Sequence, residues 1–98
     1  MNKTEHLLTC LIEECAEVQK EAAKALRFGL SDHAPDTPKV TNADAIAAEC
    51  VDLAAIIEML EEEGIIPALK SPEGMRLKKD KVMKYMKYAA NRGSLETL

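Results

Sequence analysis

The sequence predicts an all-α fold, a helical bundle of three main helices completed by oligomerisation. Three observations predict it. Apolar residues recur at steps of three and four in three long stretches, and Gly- and Pro-bearing breaks separate those stretches. Hydrophobic residues make up 47% of the chain, yet the aromatics are only Phe28, Tyr85 and Tyr88, so the core must be Leu, Ile, Val, Ala and Met. The segment 43–60 is apolar almost all round, and a helix of that kind needs cover on every side. A chain of 98 residues is one domain, 1–98, with a modest core. A homodimer or homotetramer is therefore expected to supply the missing cover.

The first helix is expected over Glu5–Phe28. Thr4 is placed to cap it, Glu5 lies in its first turn and Gly29 ends it. Leu8, Leu11, Cys15, Val18, Ala22 and Leu26 form its apolar stripe, with Leu7 and Ile12 beside it. Residues 30–41 read as a loop, because Asp32, Pro35, Asp36 and Pro38 break any helical period. Loops of that length in compact domains are often functional. The second helix is expected over Ala43–Glu63, capped by Thr41 or Asn42 and closed by Gly64, with a solvated acidic run at 61–63. Ile65 to Lys70 connect it to a third helix whose start is sharply marked by Ser71 as cap, Pro72 at the first position and Glu73 in the first turn. That helix continues to Asn91, with Gly93 as its stop. Its stripe is Met75, Val82, Met86 and Ala89 or Ala90, flanked by Leu77 and Met83, and residues 94–98 read as a frayed tail.

Composition narrows the function. The formal net charge of −4 argues against a nucleic-acid surface, although basic residues cluster at 76–92. The sequence shows no signal peptide and no 18-residue uncharged apolar span, so a cytoplasmic protein without a membrane partner is expected. Cys10, Cys15 and Cys50 fit neither a disulfide framework nor a zinc site and read as small buried thiols.

The chemistry sits in the acids. Glu49 and Asp52 interrupt the most apolar helix three residues apart, so they share a face, and Glu14 and Glu17 repeat that spacing on the first helix. At 100° per residue Glu14 and Glu17 lie about 60° apart, and Glu13 about 40° from Glu17. Burying an unpaired carboxylate costs several kcal/mol, so something cationic should meet these acids: Lys or Arg partners, or a hard divalent metal. The same stripe continues through Lys20, Lys24 and Arg27. If the two helices pack antiparallel, four carboxylates converge, an oxygen-rich set suited to Mg²⁺ or Mn²⁺, with cations nearby suited to phosphates. Taken singly, each part also has an ordinary reading as a solvated face or as i,i+4 ion pairs.

The residues Glu13-Glu14-Cys15-Ala16-Glu17 and Glu49-Cys50-Val51-Asp52 resemble the EExxE…ExxD signature of the MazG-like all-α nucleoside triphosphate pyrophosphohydrolases. Residues 7–63 carry the resemblance, and Lys81, Lys84, Tyr85 and Tyr88 only loosely resemble the family's third helix. The resemblance implies Mg²⁺-dependent hydrolysis of a nucleoside triphosphate between its α- and β-phosphates, giving a monophosphate and pyrophosphate. It implies Glu14, Glu17, Glu49 and Asp52 as metal ligands, and Glu13 as the residue orienting the attacking water. Lys24 and Arg27, with Lys20 and Lys84, would hold phosphates. Asn42 would bind the nucleotide near the mouth of the site, and Tyr88 is the best residue for stacking on a base. The stretch between Glu17 and Glu49 is longer than the signature because of the proline-bearing loop, which is expected to cover the base or sugar and set specificity. The competing expectation is a non-catalytic helical module that binds a protein partner. A di-iron carboxylate bundle would want Glu-x-x-His pairs, and His6 and His33 follow Lys3 and Leu30 instead, as surface residues.

Overall fold

The computed structural model describes residues 1–69 and 71–96; the connector's Lys70 and the tail residues Thr97 and Leu98 lie outside the described residues. The fold is all-α, with α1 Lys3–Phe28, α2 Asn42–Glu62 and α3 Pro72–Asn91, and no strand among the described residues. Chain contacts divide it into two compact units, Met1–Ala68 and Leu69–Leu98. No helix among the described residues is long and apolar enough to cross a membrane.

The first unit is an antiparallel hairpin of α1 and α2. Helix α1 begins two residues earlier than the sequence suggests, because Asn2 and not Thr4 is the cap: its side chain accepts the Glu5 N–H at 2.8 Å. Asn caps at least as well as Thr, and starting at Asn2 adds half a turn of helix. Gly29 ends α1 at φ 101°, a left-sided conformation that costs glycine little, and its N–H bonds Ala25 O. In α2, Thr41 and Asp44 form a reciprocal capping box. The two helices are tied at both ends. Asn42 Nδ2 donates to Gly29 O at 2.8 Å and Ala43 N–H to Leu30 O at 3.0 Å, while Lys3 Nζ meets Glu63 Oε1 at 2.6 Å at the far end. Loop 30–41 is closed by an isolated antiparallel bridge between His33 and Thr41.

The stripe of α1 is rotated from its expected position. Leu8 and Leu26 lie outside, Leu26 being 88% exposed. The seam against α2 runs instead through Leu7, Leu11, Glu14, Val18, Glu21 and Ala25. Leu7, Glu14 and Glu21 are seven apart, the spacing that keeps one side of a helix facing an antiparallel neighbour. Helix α2 answers with Asn42, Ile46, Glu49, Leu53, Ile56 and Leu60. Leu7 and Leu60 are the buried apolar side chains among the described residues, and Leu60 is fully enclosed. Cys10 and Cys15 are half-buried and Cys50 is exposed, so the expectation of three buried thiols fails for Cys50.

The second unit is α3 with its flanks. Ser71 Oγ accepts the Gly74 N–H and Pro72 opens the helix as the sequence indicates. Met86, Ala89 and Ala90 are half-buried, but Met75 and Val82 are exposed. Ser94 and Leu95 are not frayed: both N–H groups bond Ala89 O, and Leu95 is half-buried.

Candidate metal centre

Midway along the hairpin the seam turns from apolar to acidic. Glu14 from α1 and Glu49 and Asp52 from α2 each bring a carboxylate oxygen within 4.8 Å of the others. Glu14 and Glu49 are half-buried and Asp52 is exposed, so the group opens to solvent on one side. Seam geometry accounts for it. Glu14 and Glu49 occupy inward positions of facing helices, and Asp52 lies three residues beyond Glu49 on the same face.

The electrostatics are strongly negative. The Glu49 carboxyl is held above the ordinary carboxylate range, first by desolvation in the seam and then by the charges of Asp52, Glu17, Glu14 and Glu21. A hard divalent cation suits this donor set. Carboxylates are the protein ligands that Mg²⁺ prefers, and these three could share one such ion.

Each residue singled out in the sequence has a definite place. Glu17 is half-buried beside the group and adds to its field, but its carboxylate also lies 3.9 Å from Lys20 Nζ. Glu13 is exposed. Lys20 is exposed as well, and surface pairs of its kind contribute little to stability. Lys24 Nζ is 3.7 Å from Glu21 Oε1, about two turns beyond Glu17. Arg27 is exposed and stacks its guanidinium on the Phe28 ring at 4.7 Å. Asn42 is buried, and its amide closes the hairpin through Gly29. Lys84 and Tyr88 belong to the second unit, where they line an open cleft on α3 with Asp80, Lys87 and Asn91. The Arg92 guanidinium covers the Tyr88 ring at 4.9 Å.

Glu21, which the sequence offers only as an ion-pair partner for the basic stripe, belongs to the seam. It is 9% exposed, faces the seam and adds to the charge felt by Glu49. Its signal was the seven-residue step from Leu7 through Glu14, which an apolar template passes over because two of the three positions carry acids. Compared with known protein families, curated proteins and solved structures, the chain has no match.

Proposed function

We propose that the hairpin is the catalytic unit of a Mg²⁺-dependent pyrophosphohydrolase of the MazG-like type, acting on a nucleoside triphosphate. The observation that carries this reading is the meeting of Glu14, Glu49 and Asp52 oxygens in the α1–α2 seam. The EExxE…ExxD pattern that these residues occupy supports it. In the overall reaction one water is consumed and the α–β anhydride is cleaved, giving a monophosphate and pyrophosphate. When bound, a divalent cation supplies the positive charge that offsets charge developing on the phosphates. Glu14, Glu49 and Asp52 hold it, with Glu17 as the adjoining acid. Lys24 neutralises phosphate oxygens that pass the acids, and exposed Glu13 orients water from the solvent side.

The test is a panel of NTPs and dNTPs with product identification. Pyrophosphate release that requires Mg²⁺ or Mn²⁺ is expected, and Glu49→Gln or Asp52→Asn should lower it about a hundredfold or more, the size of effect seen when a charge-stabilising group is lost. Both variants should keep wild-type helicity by circular dichroism. Retained turnover in both refutes the ligand assignment. No release from a folded protein across the whole panel leaves the interaction-module reading.

The same proposal includes self-association. Ala47, Ala48, Val51, Ala54 and Ala55 form an exposed small-apolar side of α2, and Val51 is 68% exposed. A patch of that character favours burial against another chain. Light scattering should give at least a dimer, and Val51→Glu should shift the protein toward monomer. A wild-type monomer at every concentration sinks this part.

A further inference from the structure

A cleft of about 570 Å³ opens where α1 ends and α2 begins, walled by Lys24, Phe28, Asp32, His33, Pro35 and Asn42. It lies wholly within the first unit. Its walls are of two kinds. Phe28 and Pro35 offer flat apolar surface, and Arg27, stacked on the Phe28 ring, is not among the lining residues. The loop side offers acceptors. His33 Nδ1 lies 2.9 Å from Ala34 O, and a carbonyl only accepts, so the ring proton is on Nδ1 and a neutral imidazole keeps Nε2 as an acceptor. Asp32 Oδ1 takes the His33 N–H at 2.8 Å, which fixes the carboxylate and leaves it further accepting capacity. Asn42 commits its Nδ2 to Gly29 O, so its Oδ1 is held as an acceptor too. Lys24 is the one donor of charge on the acid-facing wall.

We infer that this cleft holds the base of the nucleotide, and that its row of acceptors selects a base with an exocyclic amino group over its keto counterpart. The inference rests on the pyrophosphohydrolase reading for the direction in which the phosphates lie. Spacing supports it. Lys24 is ten residues beyond Glu14, and Asn42 is seven before Glu49 and ten before Asp52, so cleft and acids are separated by about 10–15 Å along the two helices, a span of the order of a nucleotide from base to phosphates. The amide groups at the start of α2 are already taken: the Asn42 N–H by Asp32 O, the Ala43 N–H by Leu30 O and the Asp44 N–H by Thr41 Oγ1. The helix start therefore has no free amides for phosphate and serves to hold the acceptors rigid.

The experiment is an amide-resolved NMR titration of the full ¹⁵N-labelled chain with CMP, UMP, AMP and IMP in EDTA. Shifts are expected at Phe28, His33 and Asn42, with CMP binding roughly fivefold more tightly than UMP, and AMP than IMP, for one selective hydrogen bond. Phe28→Ala should weaken CMP and AMP about tenfold through lost stacking. His33→Ala and Asp32→Asn, both exposed loop positions, should narrow the amino-over-keto ratio toward one. Shifts confined to other residues, or equal affinity within both pairs, overturn the inference. Metal-dependent pyrophosphate release at equal rates from dCTP and dUTP, and from ATP and ITP, also overturns it while leaving the hydrolase reading intact. Cleft binding with no pyrophosphate release under any metal removes the hydrolase reading and keeps the cleft.

Discussion

Glu49 concentrates the cost of building this seam. It sits between Ile46 and Leu53, where an apolar side chain would pack without penalty, and four other acids act on it. Its pKa is raised in the folded chain, so between pH about 4.5 and the folded value the native state carries more protons than the unfolded one. Stability contributed by this group is therefore present at the acidic end and is lost as pH rises through that window. Thermal melts of the metal-free protein between pH 4 and 8 should show the loss, and Glu49→Gln should flatten it and melt no lower than wild type at pH 7. Identical pH profiles for the two proteins would contradict the assignment. Such a residue weakens the fold at neutral pH, where its carboxylate is charged among other acids. Glu73 behaves oppositely. Its pair with Arg76 lowers its pKa, so its small contribution is present at neutral pH and fades as pH falls through the lowered value.

The elements are set mostly by their ends. Thr41 closes a capping box and Gly29 takes φ 101° and ψ 149°, a region that side-chain-bearing residues avoid. Thr41→Ala should cost about 1 kcal/mol, a fall of roughly 4–8 °C in Tm, and Gly29→Ala about 1–3 kcal/mol. Melting by circular dichroism checks both, and an unchanged Gly29→Ala variant would mean that the turn relaxes. These ends were legible in the sequence, as were Ser71-Pro72 and the existence of all three helices, because capping and breaking are local chemistry. The facing of α1 was not. Leu8, Leu11, Cys15, Val18 and Leu26 make a respectable apolar stripe, but the seam that wins is set by α2's side-chain order and by the loop ties at Gly29 and Leu30. For the same reason the Glu14, Glu49 and Asp52 grouping was legible from paired spacing, whereas Glu21 and the acceptors Asp32 and His33 were not. The former depends on helical period alone, while the latter need the register of one helix on the other and the path of a loop.

Charge is unevenly divided along the whole chain. Residues 1–68 hold five Lys or Arg against fourteen Asp or Glu, and residues 69–98 hold eight against three. The hairpin therefore folds against its own repulsion, which any cation relieves in part. Screening and site binding make different demands. Screening depends on ionic strength, with a Debye length of about 8 Å at 0.15 M, and treats NaCl and MgCl₂ alike once ionic strength is matched. A site that exists only in the folded hairpin adds RT ln(1 + [L]/Kd), about 2.7 kcal/mol when Mg²⁺ is a hundredfold above Kd. At matched ionic strength, millimolar Mg²⁺ should thus raise Tm by several degrees more than NaCl. The excess should vanish in Glu49→Gln and Asp52→Asn but survive Glu62→Gln, an acid at the exposed end of α2. An excess that persists in the seam variants, or that Glu62→Gln removes equally, would assign the effect to diffuse charge and leave the three carboxylates without a resident ion.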